Sequence, residues 1–217
     1  MANLVQKLVN WISKHTQQSV QQDAEYLSYC VELERTIEAL QVKLRSCNDP
    51  EEIARQTLQT AYEFYQGDWS GVIELDLELD IWSLGWWSHQ NPNVTRIEQI
   101  DEFENTGQMP SWMESLGQNR PIIIPDTSAI LQSSVEEYNV YQRLRVKSII
   151  AVPFGDGPVG FLAIRNPKRY IYRTGMMNIL AYILLCAMAQ RKTNARLKMT
   201  LSPEIIQNDQ DVLINVY

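Results

Sequence analysis

Apolar side chains in the first fifty residues recur at the spacing of a helix. The clearest series advances in alternate steps of three and four and comprises Cys30, Leu33, Ile37, Leu40, Leu44 and Cys47. This is an a/d heptad seam, but at about two and a half heptads it is shorter than the three to four that indicate a coiled coil. Segment 1–48 is therefore predicted to be a long helix, either in a coiled coil or packed as an amphipathic helix on its own domain. A shorter helix over residues 4–12 is predicted to precede it and could fold back.

A second helix is predicted to begin at Pro50. Asn48 or Asp49 can cap its N-terminus, Pro50 occupies the first helical position, and two glutamates follow in the first turn. Apolar residues then continue at helical spacing until Gly67, where the helix is expected to stop. This start marks the beginning of the main domain, which is predicted to cover residues 49–200.

Two runs with the pattern of strands follow, at residues 72–79 and 81–88. In the first run apolar and acidic residues alternate, which is typical of a half-buried antiparallel strand with one face in water. The acidic positions are Glu74, Asp76, Glu78 and Asp80. Paired carboxylates can act in acid–base catalysis, but on an exposed face the same spacing only keeps the strand solvated, and this second interpretation is favoured.

The strongest strand pair in the sequence lies at residues 148–154 and 159–164. Both runs are apolar, and Asp156-Gly157 between them is typical of a hairpin turn. The region before this hairpin is predicted to contain one short strand and three short helices, at residues 121–124, 96–105, 111–116 and 135–144.

The last helix is predicted over residues 174–199. It is apolar on all sides as far as Ala189, which indicates burial, and then becomes polar and basic. The cations suit a helix C-terminus and a solvated linker, and they are Arg191, Lys192, Arg196 and Lys198. The tail, residues 201–217, includes a strand-like run at 212–217 and is expected to be the start of a further, truncated domain.

Composition and charge exclude several classes of function for this chain. The chain has 217 residues, of which 45% are hydrophobic and 21% charged, as in an ordinary globular protein. The formal net charge of −7 argues against direct binding of nucleic acid or an anionic membrane by this segment. The longest apolar stretch, residues 175–189, is shorter than the roughly 18 residues that span a membrane. Since no secretory signal is recognisable, a cytoplasmic location is expected.

Groups that could carry catalysis or bind a metal are few. The three cysteines, Cys30, Cys47 and Cys186, form no CxxC pair. The two histidines, His15 and His89, have no carboxylate or cysteine at ligand spacing. No nucleophile motif of the GxSxG type is present. The sequence therefore predicts no metal site, no cofactor and no catalytic residue.

Tryptophan gives the one suggestion of a ligand site. Five of the six tryptophans lie between residues 69 and 112, and aromatic-lined pockets are common sites for small molecules. The candidate pocket residues are Trp82, Trp86, Met109 and Trp112. Strand alternation predicts that Trp82, Leu84 and Trp86 share one face of their strand. Since large aromatic residues also fill ordinary cores, core packing is the alternative.

The order of the predicted elements, together with two short motifs, resembles a GAF domain. The motifs are LRVKSIIAVPF at residues 144–154 and GFLAI at residues 160–164, and both are similar to the family's usual pattern in kind and spacing. The resemblance covers residues 51–196. It implies an α+β fold with a central antiparallel sheet of five to six strands and helices on both sides, preceded here by the long N-terminal helix.

The resemblance also implies a function. GAF domains are sensory or dimerisation modules, so this chain is expected to relay a small-molecule signal to an output domain, with a transcriptional regulator as the first guess. A homodimer through the N- and C-terminal helices is expected. The cysteine of bilin-binding members is absent between residues 69 and 173, and the residue set of cyclic-nucleotide-binding members is not recognisable. The alternatives are a ligand-free dimerisation spacer and an enzyme of the sulfoxide reductase type, which would need reactive cysteines in the domain.

Overall fold

The N-terminal segment is one continuous helix. The computed structural model describes the backbone of residues 2–76, 81–89, 106–154 and 160–213, and the side chains of residues 23–75, 86, 107–154 and 160–197. The chain divides into two units, Met1–Val42 and Lys43–Tyr217. Helix α1, Ala2–Leu44, forms the first unit, so the separate helix at 4–12 that could fold back is wrong. Because no glycine or proline occurs before Pro50, nothing in the sequence breaks the helix. The coiled-coil alternative for its heptad seam stays a prediction.

The second unit alternates helices and strands. Its helices are α2 (Pro50–Tyr65), α3 (Pro110–Gly117), α4 (Val135–Arg143) and α5 (Gly175–Leu213). Its strands are β1 (Trp69–Asp76), β2 (Ile81–His89), β3 (Ile122–Ile124), β4 (Ile149–Phe154) and β5 (Gly160–Arg165). Short 3₁₀ helices at Thr106–Gln108 and Thr127–Gln132 precede α3 and α4. The predicted helix at 96–105 lies outside the described residues.

The strands of the described residues form one antiparallel sheet in the order β2-β1-β5-β4-β3. The predicted hairpin is confirmed as β4 and β5, which pair from Ile149 opposite Arg165 to Phe154 opposite Gly160. β1 lies between β2 and β5, and its side chains alternate between the two faces of the sheet. The α+β class with an antiparallel sheet is thereby confirmed.

Helices cover both faces of the sheet. On the helix face, α2 and α5 pack together and against the strands, and the Ser70 hydroxyl donates to the Leu58 carbonyl of α2 at 2.7 Å. On the opposite side, here called the core face, residues of β1, β3, β4 and β5 pack with α3 and α4 in one apolar cluster. The prediction that one face of β1 lies in water is wrong at Glu74, which is 22% exposed and pairs with Arg191 of α5. The side chains of Asp76, Glu78 and Asp80 lie outside the described residues.

The start of α2 follows the sequence signals closely. The Asp49 side chain accepts a hydrogen bond from the Glu51 amide at 3.2 Å, and Pro50 stands in the first turn. At the other end Gln66 adopts a left-handed conformation with φ of 52°, and its amide donates back to the last turn. These local contacts end the helix where β1 must begin.

Helix α5 extends further than the sequence pattern predicts. It runs from Gly175 to Leu213, so residues 201–213 continue the helix and the strand-like reading of residues 212 and 213 is wrong. The remaining residues of that run, 214–217, lie outside the described residues. Among the helices that the structure describes, none is both long and apolar enough to cross a membrane.

Candidate functional site

The core face buries two of the four candidate pocket residues side by side. Met109 and Trp112 are each 1% exposed. The Trp112 ring meets the Phe161 ring edge-on, with 4.9 Å between the centroids. Its indole Nε1 donates to the Tyr141 hydroxyl oxygen at 2.8 Å. Both residues are therefore firmly packed on the side of the sheet where α3 and α4 lie.

A buried carboxylate joins α3 and α4 on this face. Glu137, 1% exposed, accepts hydrogen bonds from the Ser111 amide at 3.1 Å, from the Ser111 hydroxyl and from the Tyr141 hydroxyl at 2.7 Å. Met109, the N-cap residue of α3, makes no side-chain capping bond, so Glu137 supplies that cap from another helix. The spacing of Glu137 and Tyr141, four residues apart on one helix, is a sequence signal for part of this network.

The electrostatics of the network fix the protonation of the tyrosine. Burial, and next the negative charge of Glu137, raise the pKa of Tyr141 well above its ordinary value. Tyr141 therefore stays a hydrogen-bond donor to Glu137 across the physiological range. With its oxygen it accepts from Trp112, so a single chain of hydrogen bonds connects the two helices.

Two buried polar side-chain atoms have no hydrogen-bond partner among the residues that the structure describes. They are the indole Nε1 of Trp69, a donor, and Oε1 of Gln108, an acceptor. Trp69 belongs to the apolar cluster of the core face, and Gln108 directly precedes Met109 in the chain. Because buried polar groups are nearly always paired in native proteins, these two atoms are candidates for contact with a ligand.

Trp86 lies on the opposite side, on the helix face. Its Nε1 donates to Glu51 Oε2 at 2.6 Å, and the Arg191 guanidinium lies over its ring, 4.2 Å from the centroid. Arg191 Nη2 also contacts Glu74 Oε1 at 2.9 Å. The predicted solvated roles of Glu74 and Arg191 are thus wrong, since the two side chains meet between β1 and α5.

A β-bulge explains why Trp86 turns away from the core. Val72 of β1 pairs with Trp86, but the next residue, Ile73, pairs with Leu84, so Gly85 has no counterpart. One extra residue reverses the side to which later residues point. The prediction that Trp82, Leu84 and Trp86 share one face is therefore wrong. The backbone of Trp82 pairs with Leu75, whereas its side chain lies outside the described residues.

Metal ligands and reactive thiols do not gather in the part of the chain that the structure describes. Within it, no group of three histidine, cysteine or acidic side chains is arranged to hold a metal ion. Cys30, Cys47 and Cys186 are all free thiols. The core face thus offers aromatic surface and isolated hydrogen-bonding atoms.

Comparison with known proteins gives relatives of the same fold. The phycoerythrobilin-bound GAF domain of a cyanobacterial phytochrome is 14% identical, with a TM-score of 0.59 over 76% of this chain and 99% of that one. JSC1_58120g3, in its far-red absorbing dark state with bound biliverdin IXa, is 17% identical in sequence. Its TM-score is 0.57 over 74% of this chain and 99% of that one. Residues 122 to 287 of a methyl-accepting chemotaxis protein are 13% identical, with a TM-score of 0.50 over 70% and 95%.

Because the sequence identities are this low, the structural comparisons show a shared fold and nothing more. No curated protein matches the chain. Residues 49–181, more than half of the sequence, match the GAF domain. With its antiparallel sheet between two helical layers, the chain belongs to the GAF domain family.

Proposed function

We propose that this GAF domain is a non-catalytic sensory module, which binds a small molecule on the core face and relays its presence through α5. The observation that carries the proposal is the pair of unpartnered buried atoms, Trp69 Nε1 and Gln108 Oε1. Leaving a buried polar atom unpaired costs about 1–3 kcal/mol. A ligand that accepts from the indole and donates to the amide oxygen recovers that cost on binding.

The candidate pocket residues divide between two roles. Met109 and Trp112, which share an apolar cluster with Trp69, are assigned to the wall of the pocket. Trp86 is assigned to the relay, because it connects the sheet with Arg191 of α5. A shift of the sheet on ligand binding would therefore move the contact that holds α5.

The same proposal includes a homodimer and an output domain that the module controls. The long helices α1 and α5 would form a homodimer, and their movement would control an output domain, with transcriptional regulation in the cytoplasm as the first expectation. Two helical arms in a symmetric dimer supply the bistable element that a ligand can bias. A protein that remains monomeric in light scattering at high concentration would contradict the dimer.

The first test is a thermal-shift screen of metabolites, nucleotides and metal ions, with light scattering as a second readout. A specific ligand at one hundred times its Kd adds about 2.7 kcal/mol to the free energy of unfolding. For any compound that stabilises the protein, Trp69→Phe removes the indole N–H while keeping an aromatic ring, and is expected to raise the Kd about tenfold. Tyr172→Phe is the control, which should leave the Kd unchanged because Tyr172 is 69% exposed and takes no part in the proposed relay.

A ligand-free dimerisation spacer is the second candidate function. The close packing of Met109 and Trp112, together with the complete hydrogen bonding of Glu137, favours it, because the described core face is already well filled by its own side chains. A screen without a single hit, on a protein that forms a stable dimer, would support the spacer and reject the sensor.

A further inference from the structure

Helix α5 carries an apolar stripe on its exposed side. Its members recur at steps of three, four, three, four and four residues, and they are Ile179, Tyr182, Cys186, Ala189, Thr193 and Leu197. All six are exposed, and the exposed fractions of Ile179, Tyr182 and Leu197 are 39%, 69% and 56%. Because this spacing follows the turns of a helix, the six side chains line one face of α5, here called the α5 stripe.

The sequence around the α5 stripe is typical of a helix that is buried on every side. Residues 175–190 contain no Asp, Glu, Lys, Arg or His. The opposite side of this segment packs in the domain, where Met177, Leu180 and Leu184 are fully buried. The striped side is equally free of charge, whereas the solvated side of a surface helix normally carries charged residues. A contiguous exposed apolar surface of this kind indicates an interface with another protein chain.

The polar groups of the α5 stripe are compatible with such an interface. The Thr193 hydroxyl donates to the Ala189 carbonyl of its own helix at 2.9 Å. The Cys186 side chain behaves as a small hydrophobic group. Tyr182 combines an apolar ring with a hydroxyl that can stay in water at the rim. The stripe can therefore be covered without leaving the Thr193 hydroxyl unpaired.

The spacing of the α5 stripe indicates that its partner is another helix. Alternate steps of three and four residues, from Ile179 to Thr193, are the a and d positions at which two helices interlock their side chains. A second copy of α5 presents the same positions at the same heights. The face is thus complementary to itself, as a symmetric pair of identical chains requires.

The length of α5 favours a parallel pair. Residues 192–213 continue the helix for about 33 Å, and all residues from Lys192 to Leu197 are exposed. Helices in proteins owe most of their stability to the packing of one face. In a parallel pair these outer parts run side by side. An antiparallel pair centred on the stripe would leave residues 202–213 without a facing helix.

We propose that a second copy of this chain covers the α5 stripe, with the two α5 helices parallel and in register, so that the two copies of Cys186 face each other. The inference rests on the homodimer of the proposed function and adds to it the surface, the orientation and the register. Arg191, which contacts Glu74 of β1, lies between Ala189 and Thr193 in the chain. The proposed relay and the interface thus share one stretch of helix.

The first test is thiol cross-linking with a short bismaleimide, read as a doubling of mass on a denaturing gel. Cys30→Ser and Cys47→Ser leave Cys186 as the only cysteine of the chain. We expect Cys186 to cross-link with its counterpart in the second copy. Tyr172→Cys, in a chain that also carries Cys186→Ser, is the control, because Tyr172 is 69% exposed but precedes α5.

The orientation is tested with single cysteines at the two ends of the stripe. Ile179→Cys and Leu197→Cys, each in a chain without other cysteines, should each cross-link with an identical copy. In an antiparallel pair neither variant would cross-link alone, and a mixture of the two would. That outcome would overturn the proposed orientation.

The second test measures the Kd of the dimer by analytical ultracentrifugation. The stripe variant carries Tyr182→Glu and Ala189→Glu, and its Kd should rise at least tenfold. The control variant carries Tyr172→Glu and Ala195→Glu, an equally exposed tyrosine and an exposed alanine away from the stripe, and its Kd should change within about twofold. The two variants have the same net charge, and circular dichroism checks that both are folded.

The outcomes separate this inference from the proposed homodimer. A natural chain that is dimeric, but in which Cys186 does not cross-link, uses another interface, so the inference fails while the homodimer stands. A natural chain that stays monomeric overturns both. Equal cross-linking of Cys186 and of Tyr172→Cys, or an equal rise of Kd in the stripe and control variants, would also overturn the inference.

Discussion

At the residue scale, one asparagine organises an end of the sheet. Asn166 follows β5 with a left-handed backbone, φ of 50°, a conformation that asparagine tolerates better than most residues. Its Oδ1 accepts from the amides of Lys147 and Ser148 at 2.7 and 3.2 Å, while its Nδ2 donates to Asp68 and to Arg145. Every hydrogen-bonding position of this amide is therefore used to join β5 to the start of β4.

Replacement of Asn166 should show how much this junction between β5 and β4 contributes to the free energy of unfolding. Asn166→Ala is expected to lower the free energy of unfolding by about 2–3 kcal/mol, since it removes four hydrogen bonds and strains a left-handed residue. Asn119→Ala is the control, because Asn119 also has φ of 50° but lies exposed in a turn. It should cost about 1 kcal/mol or less, from backbone strain alone. Equal losses in urea denaturation would show that the side-chain bonds contribute nothing.

The buried tyrosine predicts a specific dependence of stability on alkaline pH. Burial and the charge of Glu137 raise the pKa of Tyr141 in the folded state, whereas in the unfolded chain it titrates near 10. The folded pKa is the higher one, so the stabilisation is fully present below pH 10 and declines as the pH rises above it. Above that value the decline should be about 1.4 kcal/mol per pH unit.

Tyr141→Phe isolates this effect from all other titrating groups. At pH 7 the variant should be less stable than the natural chain, because Glu137 and Trp112 each lose a hydrogen-bond partner. The difference in unfolding free energy should narrow between pH 9 and 11, as only the natural chain carries the titrating phenol. Denaturation curves that keep a constant difference over this range would contradict the raised pKa.

At the element scale, helix α3 depends on a residue outside itself. Its eight residues are too few for a helix to be stable alone, and its own N-cap residue, Met109, makes no side-chain bond. The carboxylate of Glu137 on α4 occupies that place and accepts from Ser111. The position of α3, and with it the packing of Trp112 on the core face, is thus tied to α4.

Glu137→Ala should therefore loosen α3 and lower the free energy of unfolding by about 3 kcal/mol, because the buried Tyr141 hydroxyl and two donors of the half-buried Ser111 lose their acceptor. Glu136→Ala is the matched control, since Glu136 is the neighbouring acid in the same first turn and is exposed. It should change stability by no more than about 0.5 kcal/mol. A comparable effect of both changes in guanidinium denaturation would show that the charge of the first turn, rather than the buried network, stabilises the helix.

Elements with strong local signals are the ones that the sequence predicts well. Asp49 and Pro50 fix the start of α2 through contacts with near neighbours, and the apolar runs of β4 and β5 leave few alternatives to a hairpin. Met109 and Trp112 lie in one buried cluster, and their burial is compatible with packing as well as with a pocket. Whether they bind a ligand stays a prediction.

Features set by contacts between distant segments were not predictable in the same way. Alternation assumes a regular strand, so the extra Gly85 could not be recognised, and Trp86 was assigned to the wrong face. Glu74 and Arg191 each looked solvated, because nothing local indicates that they are partners across 117 positions. The Glu137 network was missed for the same reason, since Ser111 and Glu137 lie on different helices.

At the scale of the whole molecule, the contacts of Arg191 link β1 and β2 to the long C-terminal helix. Arg191 pairs with Glu74 of β1 and lies on Trp86 of β2, while the neighbouring Gln190 donates to the Asn48 carbonyl before α2 at 2.8 Å. Beyond these residues α5 continues as far as Leu213. This contact is where a change in the sheet can reach the outer part of the helix.

Removing the contact should release that outer part. Arg191→Ala is expected to speed amide hydrogen exchange in residues 192–213 about tenfold, which corresponds to about 1.4 kcal/mol of lost local stability. Arg191→Lys should give an intermediate increase, because lysine keeps the charge but loses the planar group that lies on Trp86. Lys192→Ala, the control on an exposed side of the same turn, should leave exchange unchanged. If Arg191→Ala and Lys192→Ala give the same exchange rates, the contact does not hold α5.

The bulge in β2 also determines which changes of chain length this strand can accept. Gly85 separates Trp82, in register with Leu75 of the core face, from Trp86, which serves the helix face. Deleting Gly85 would restore a regular strand and turn Trp86 away from Glu51 and Arg191. Relatives of this protein should therefore gain or lose residues between these two tryptophans only in pairs, because an odd change exchanges the two faces. The parity of this short segment, more than its composition, is what keeps Trp86 on the helix face.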